Sequence, residues 1–195
     1  MHSPEQVFRE YESAGGLAAP SAFCPHCGSP WNSAADEPWR WGACGKRTFR
    51  NPSPAVSVLV TDGPRFLLCR RRARSFQGSQ WCLPSGYVEF QEDFLTAARR
   101  EVMDETGLAV QVSGLLSVVS NFFRPDLHSL VVVLLAHPTD PSVEPTGGDD
   151  IEIARWFDDP QALPEMAFEA DTHIIRRAFA TGLRGTPIDP RFAGR

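Results

Sequence analysis

A mixed β-sheet covered by helices, preceded by a small cysteine-bearing module, is the α/β architecture that this 195-residue sequence predicts. Three observations carry that expectation. From Pro54 onward, strand-like and helix-like patterns interleave along the chain. Up to about Asn51, the stretches "FCPHCGSPW" and "WGACGKRTFRNPSP" show little periodicity. No internal repeat or low-complexity tract interrupts either part. The expected division is a front module over 1–51, a main domain over 52–185 and a tail over 186–195.

The elements follow in order. "PEQVFREYESAGG" is expected to form a short helix ended by glycine. "AVSVLVTDGPRFLLCRR" predicts two strands around the turn Asp62-Gly63-Pro64, and "SFQGSQWCLPSG" a loop. A helix is expected from about Glu92 to Thr106, with Gly107 placed to stop it. "LLSVVSNFF" and "HSLVVVLLA" read as strands separated by the turn-prone "RPDL". "IEIARWF" is another strand, and "PQALPE" a short helix or turn. "FEADTHIIRRAFATG" closes the domain as a helix ended by Gly182.

Composition narrows the function. An apolar fraction of 42% suits a globular core. A net charge of −5 argues against nucleic acid or an anionic membrane as a partner, since both favour a basic surface. The run "LVVVLLA" is too short to span a bilayer and reads as a buried strand. "MHSPEQVFRE" has no signal-peptide character, and five cysteines is an odd number, so a reduced cytoplasmic protein is expected.

On the central helix, Glu101, Asp104 and Glu105 stand at i, i+3 and i+4 and share one face. Leu95, Ala98 and Val102 form the adjoining apolar stripe that would anchor the helix to the sheet. Three gathered carboxylates repel one another, and a divalent cation such as magnesium or manganese would offset that repulsion. The triplet alone reads more readily as a solvated helix face than as a metal site.

Its surroundings carry more. Gly86, Glu92, Arg100, Glu101, Asp104, Glu105, Gly107 and Leu108 resemble the Nudix hydrolase signature. That signature is a glycine, five residues, Glu, seven residues, then R-E-U-x-E-E-x-G-U, where U is bulky and aliphatic. Val102 and Leu108 fill both aliphatic positions, and Asp104 stands where the family has Glu. The resemblance runs from Pro54 to about Phe179. It takes in "QWCLPSGYVE", where Ser85 replaces a usual glycine, and "IEIARWFDDPQALP", similar to the family's penultimate strand and following short helix.

The resemblance implies a Nudix-type α/β/α sandwich. It also implies Mg2+- or Mn2+-dependent hydrolysis of a nucleoside diphosphate linked to another moiety. Positions matching Glu101, Asp104 and Glu105 bind metal in that family, and the one matching Arg100 orients the loop and its carboxylates. Gly86, Glu92 and Gly107 are the structural positions of the box. Divalent ions neutralise the pyrophosphate and help water attack phosphorus, after which a carboxylate accepts the proton. Glu101 is the first candidate base. Asp150 and Glu152 resemble a distal acidic position with the same roles, though "GGDDIE" reads equally as a polar turn.

"CRRRARSF" places Arg70, Arg71, Arg72 and Arg74 at a strand end, where guanidinium groups recognise phosphate. Strand alternation lets at most two face the site, and Arg70 and Arg72 are the candidates. Phe122 or Phe123 could stack on a base, with the other in the core; Phe123 is the substrate candidate. Cys69 and Cys82 read as isolated and structural, and His128 as a packed histidine.

In front, Cys24-Pro-His-Cys27-Gly is a zinc-knuckle pattern. A ribbon needs a second pair, and "WGACGKR" supplies Cys44 alone, with Trp41 where its partner would stand. This part resembles the zinc ribbon that precedes the Nudix domain in NADH pyrophosphatases, followed by the junction "RNPSPAV". Cys24, Cys27 and Cys44 are therefore candidate zinc ligands, with less than one full equivalent expected. The other reading is a ribbon without metal, held by packing of Trp31, Trp39 and Trp41. Relatives with a similar front module imply a homodimer.

The substrate is less defined. Ser120, Ser129 and Leu130 align with the NADH pyrophosphatase motif S-Q-P-W-P-F-P-x-S, but the aromatic–proline middle differs. Pro125 lies near a proline seen in ADP-ribose hydrolases. ADP-ribose, NAD(H)-type dinucleotides and nucleoside triphosphates are the candidates. The alternative is a catalytically weak Nudix-like module that senses a nucleotide metabolite, and the near-complete box argues against it.

Overall fold

The structure is a computed structural model describing residues 7–9, 22–32, 39–49, 51–124, 127–189 and 191. Strand β4 (Ser53–Asp62) is apolar on both faces because it is covered on both. Val56, Val58 and Val60 enter one core, while Ala55 and Leu59 enter the other. Strand β5 (Arg65–Arg71) returns antiparallel across Gly63, whose φ of +59° suits glycine.

Where a loop is expected over 75–86, the chain forms two short strands, β6 (Trp81–Cys82) and β7 (Ser85–Tyr87), the second ending one residue past it. β5 pairs with β4 only at Thr61 and Asp62, which leaves the β4 edge at Ala55–Ser57 free to take β7. β6 adds to β5 through Cys69↔Cys82 and Arg70↔Trp81.

Helix α1 spans Phe94–Thr106, starting two residues later than expected. Asp93 sets that start, its side chain accepting the N–H groups of Leu95 and Thr96 at 2.9 Å each. Gly107 ends it in the left-handed conformation, as the sequence predicts. β8 (Val110–Arg124) and β9 (Leu127–Pro138) form a long antiparallel hairpin, and β9 runs parallel to β4. β10 (Ile151–Phe157) pairs antiparallel with β5.

"PQALPE" makes bends rather than the short helix that the family resemblance implies. The adjoining chain is held extended against Trp81, through Trp81 N–H to Glu165 O at 2.9 Å and Ala167 N–H to Trp81 O at 2.7 Å. Helix α2 (Glu169–Thr181) ends at Gly182, and β11 (Thr186–Pro187) pairs with β8.

In the segment expected to form a front helix, β1 (Val7–Arg9) is a strand parallel to β8. The open edge of β8 offers backbone partners that outweigh weak local helix propensity. The rest of that segment lies outside the described residues.

The main sheet runs β1-β8-β9-β4-β5-β10, with β6, β7 and β11 attached beside it. α1 packs Leu95, Ala98 and Val102 into one core, and α2 packs Ala170, Ile174 and Ile175 into the other. Burial of a side chain such as Leu95 contributes about 1.5–3 kcal/mol. The result is a three-layer sandwich. A separate two-stranded sheet, β2 (Trp39–Trp41) with β3 (Arg47–Phe49), belongs to the front module. Among the described residues, no helix is long and apolar enough to cross a membrane.

Candidate active site

The packing of α1 fixes where its acidic side chains go. Val102 faces the core, so Glu101 and Glu105 lie at its margin and are themselves buried, at 8% and 2% exposure. Asp104 turns outward, with 51% of its side chain exposed. Glu105 accepts the Ser85 N–H at 2.9 Å, which ties the helix to β7.

Gly86 gives Glu101 its space, because a Cβ there would collide with the Glu101 carboxylate. Arg100 organises the other side. It donates to both Glu92 oxygens, at 2.6 and 3.1 Å, to Glu101 Oε1 at 2.8 Å and to the Tyr87 carbonyl at 3.0 Å. Its Nη1 lies 3.8 Å from Asp104. Glu92 in turn accepts the Glu89 N–H at 2.9 Å, so the loop before α1 is closed on itself.

Burial pushes the Glu105 carboxyl well above the ordinary glutamate range. The Ser85 N–H opposes that rise, and the charges of Asp150 and Glu101 add to it. Burial raises Glu101 too, with Arg100 opposing. Two buried carboxylates short of positive charge suit a hard divalent cation, which oxygen donors would hold. Their oxygens and that of Asp104 are not gathered into one sphere: among the described residues, the cysteines alone form such a group.

The distal acids divide. Asp150 pairs with Arg71 at 2.6 Å and lies close enough to raise Glu105, whereas Glu152 pairs with Arg70 at 3.2 Å with 48% of its side chain exposed. Arg72 donates through Nε to the Asp149 carbonyl at 2.9 Å. Arg71, which the sequence reading did not single out, is thus the arginine beside the acidic face. Alternation along β5 was the available signal, since Leu67 and Cys69 enter the α1 core and Arg71 follows two residues on.

A second missed residue is Asp171. It is buried on α2 and accepts the Leu83 N–H at 2.9 Å and the Ser57 hydroxyl at 3.5 Å, two residues before Ser85. Its place between Ala170 and Ile174 on the inner face was visible in the sequence.

Cys69 and Cys82 are not isolated. They are cross-strand neighbours, both fully buried, with the Cys82 thiol donating to Cys69 O at 3.6 Å. The His128 ring stacks on Phe122 at 3.9 Å, a packed histidine as expected. The side chain of Phe123, and Pro125, lie outside the described residues.

In the front module, the sulfur atoms of Cys24, Cys27 and Cys44 lie within 4.8 Å of one another and could hold a metal. Trp41 stacks on Trp39 at 4.9 Å.

The NUDIX domain family matches residues 51–178. The chain belongs to the Nudix family. That family generally uses divalent metals. A NAD-capped RNA hydrolase NudC from Chromobacterium violaceum is 34% identical over 159 residues, covering 80% of this chain and 57% of that protein. An ADP-ribose pyrophosphatase from Methanocaldococcus jannaschii is 33% identical over 129 residues, covering 66% and 74%. A Nudix hydrolase structure from Nitrosomonas europaea superposes with a TM-score of 0.71 at 24% identity, covering 86% and 95%, and shares the fold. The chain spans 57% and 50% of the length of two NudC relatives.

Proposed function

We propose that this Nudix protein is a divalent-cation-dependent pyrophosphohydrolase acting on a nucleoside diphosphate joined to a second group. The observation that carries the reading is the pair Glu101 and Glu105, buried one turn apart, held by Arg100 and Ser85 and underpaired in charge. Glu101 and Glu105 would hold Mg2+ or Mn2+, with Asp104 beside them. When bound, such an ion neutralises phosphate oxygens and lowers the pKa of water.

The chain's own residues do the rest. Arg100 holds the Glu101 carboxylate in place and locks the box loop through Glu92 and Tyr87 O. Glu101 accepts the proton of the attacking water, and Asp150, beside Glu105, is the second candidate for that role. Arg71 is the β5 arginine on the acidic side and balances Asp150, whereas Arg70 and Arg72 are engaged by Glu152 and by the Asp149 carbonyl.

ADP-ribose and NAD-type dinucleotides lead the candidates, because relatives are named for ADP-ribose and for NAD-capped RNA. Both substrates contain an adenosine diphosphate joined to another group. Nucleoside triphosphates follow. A metabolite-sensing module is the second reading, favoured by the ungathered box oxygens. A panel of ADP-ribose, NADH, NAD-capped RNA and nucleoside triphosphates, assayed with magnesium, manganese or chelator, separates the two. Metal-dependent release of a nucleoside monophosphate supports the enzyme; tight binding without turnover overturns it.

A further inference from the structure

The front module has a fourth donor that the cysteine pattern does not announce. Were position 41 a cysteine, its sulfur would take the acceptor role in the second knuckle. Trp41 occupies that position, and the Ala43 N–H donates instead to Ser29 Oγ at 2.8 Å. Ser29 Oγ also lies 3.2 Å from Cys27 Sγ. It and Cys24 flank Gly42 so closely that a Cβ on Gly42 would stand 2.6 Å from Ser29 Oγ and 3.1 Å from Cys24 Sγ. The hydroxyl therefore lies beside the Cys27 thiol, on the side of the cluster where Cys24 approaches Gly42.

The spacings suit a tetrahedral ion. Zinc–sulfur bonds of about 2.3 Å give sulfur–sulfur edges of about 3.8 Å, and a zinc–oxygen bond of about 2.0 Å gives a sulfur–oxygen edge of about 3.5 Å. Cys24 and Cys44 sulfurs are 3.9 Å apart, and the Cys27–Ser29 separation is 3.2 Å. The donor inventory closes as well. With a metal in place the Ser29 hydroxyl would turn its proton from Cys27 to Pro30 O, 3.3 Å away, accept from Ala43, and keep one lone pair for the ion. Among the described residues, no histidine or carboxylate joins the cluster.

We infer that Ser29 is the fourth ligand of a three-thiolate, one-hydroxyl zinc site formed with Cys24, Cys27 and Cys44. On binding, the three thiols release their protons to solvent and the serine keeps its own, leaving one net negative charge on the site. A neutral oxygen donor binds zinc less tightly than a fourth thiolate, so the ion exchanges readily and is partly lost on purification.

The test uses the full reduced chain titrated with Co2+ and then displaced with Zn2+. Sulfur-to-cobalt charge-transfer absorption reports the thiolates and ignores the box carboxylates. The parent should take up one cobalt per chain with a three-thiolate spectrum. Ser29→Ala should weaken binding about 10–100-fold and shift the cobalt d–d bands. Ser29→Cys should tighten binding and add a fourth thiolate's intensity, an outcome a merely structural serine would not produce. Absence of thiolate-to-cobalt absorption in the parent overturns the site. Affinity and spectrum unchanged in both Ser29 variants overturns the ligand.

Discussion

Glu105 receives the Ser85 backbone N–H at 2.9 Å, and that bond, together with Arg100 to Tyr87 O, joins the buried acidic helix to the strand carrying Gly86. A glutamine at this position can still accept the bond through its amide oxygen while losing the charge. Glu105→Gln is therefore expected to keep the fold but lower metal-dependent turnover by at least about 100-fold. Without metal its melting temperature should equal or exceed the parent's, because a poorly compensated buried charge is gone. Steady-state kinetics in magnesium and thermal melts check both; equal turnover would disprove the assignment of Glu105.

Gly86 is the box position with the least tolerance. The methyl of Gly86→Ala would stand where the Glu101 carboxylate lies, with Arg100 closing the other side. Glu101 must then rotate away from Arg100. Turnover should fall about 10–100-fold while stability falls by about 1–3 kcal/mol, the usual cost of overpacking. Denaturant unfolding alongside kinetics separates the two effects.

Glu92 should give the box loop its acid sensitivity. Hydrogen bonds from Arg100 hold its carboxyl below the ordinary value of about 4.3. A carboxyl lowered on folding adds stability above its unfolded value, and that stability is lost as pH falls through the folded value. Unfolding midpoints should thus drop more steeply below pH 4.3 in the parent than in Glu92→Gln. The site is near the surface, so the difference should stay below about 1 kcal/mol. Parallel pH profiles would show that the pair contributes nothing.

What was legible in the sequence was local. Gly107 and Gly182 end their helices where expected, because helix termination depends on residues within a turn. The box spacing placed Glu101 and Glu105 on one face for the same reason. The short strands β1, β6, β7 and β11 were illegible, since each of two or three residues owes its pairing to a distant free edge. Arg71 and Asp171 fall between these cases. Their faces follow from periodicity, but their partners Asp150 and Leu83 lie 79 and 88 residues away. The half-missing knuckle hid Ser29, whose approach to Cys27 and Ala43 needs the folded turn.

The cysteines should sort into two reactivity classes. All five are free, with Cys27 and Cys44 exposed and Cys69 and Cys82 buried. Burial pushes the Cys69 and Cys82 thiols up, so neither supplies thiolate to an alkylating reagent near neutral pH. Hydrogen bonds from Ser29 hold Cys27 down to about 6. Brief iodoacetamide treatment of the native metal-free chain, read by mass spectrometry, should label Cys27 and leave Cys69 and Cys82 unmodified until urea is added. Native labelling of Cys82 would contradict the packing of β6 on β5.

Asp104 tests how the box departs from the family pattern. Aspartate is one methylene shorter than glutamate, so its carboxylate stops about 1.5 Å further back along the same direction. Its side chain is half exposed, and its oxygen stands 3.8 Å from Arg100 rather than among Glu101 and Glu105. Magnesium requires near-ideal octahedral geometry at about 2.0–2.1 Å and retains water readily. Asp104 should therefore act on a bound ion through water, with Glu101 and Glu105 as direct ligands. Asp104→Ala should cost about tenfold in turnover, far less than Glu105→Gln. Asp104→Glu should keep or raise activity and strengthen the preference for magnesium over manganese. Turnover of all three variants in both metals checks the order, and an Asp104→Ala loss as large as that of Glu105→Gln would reverse it.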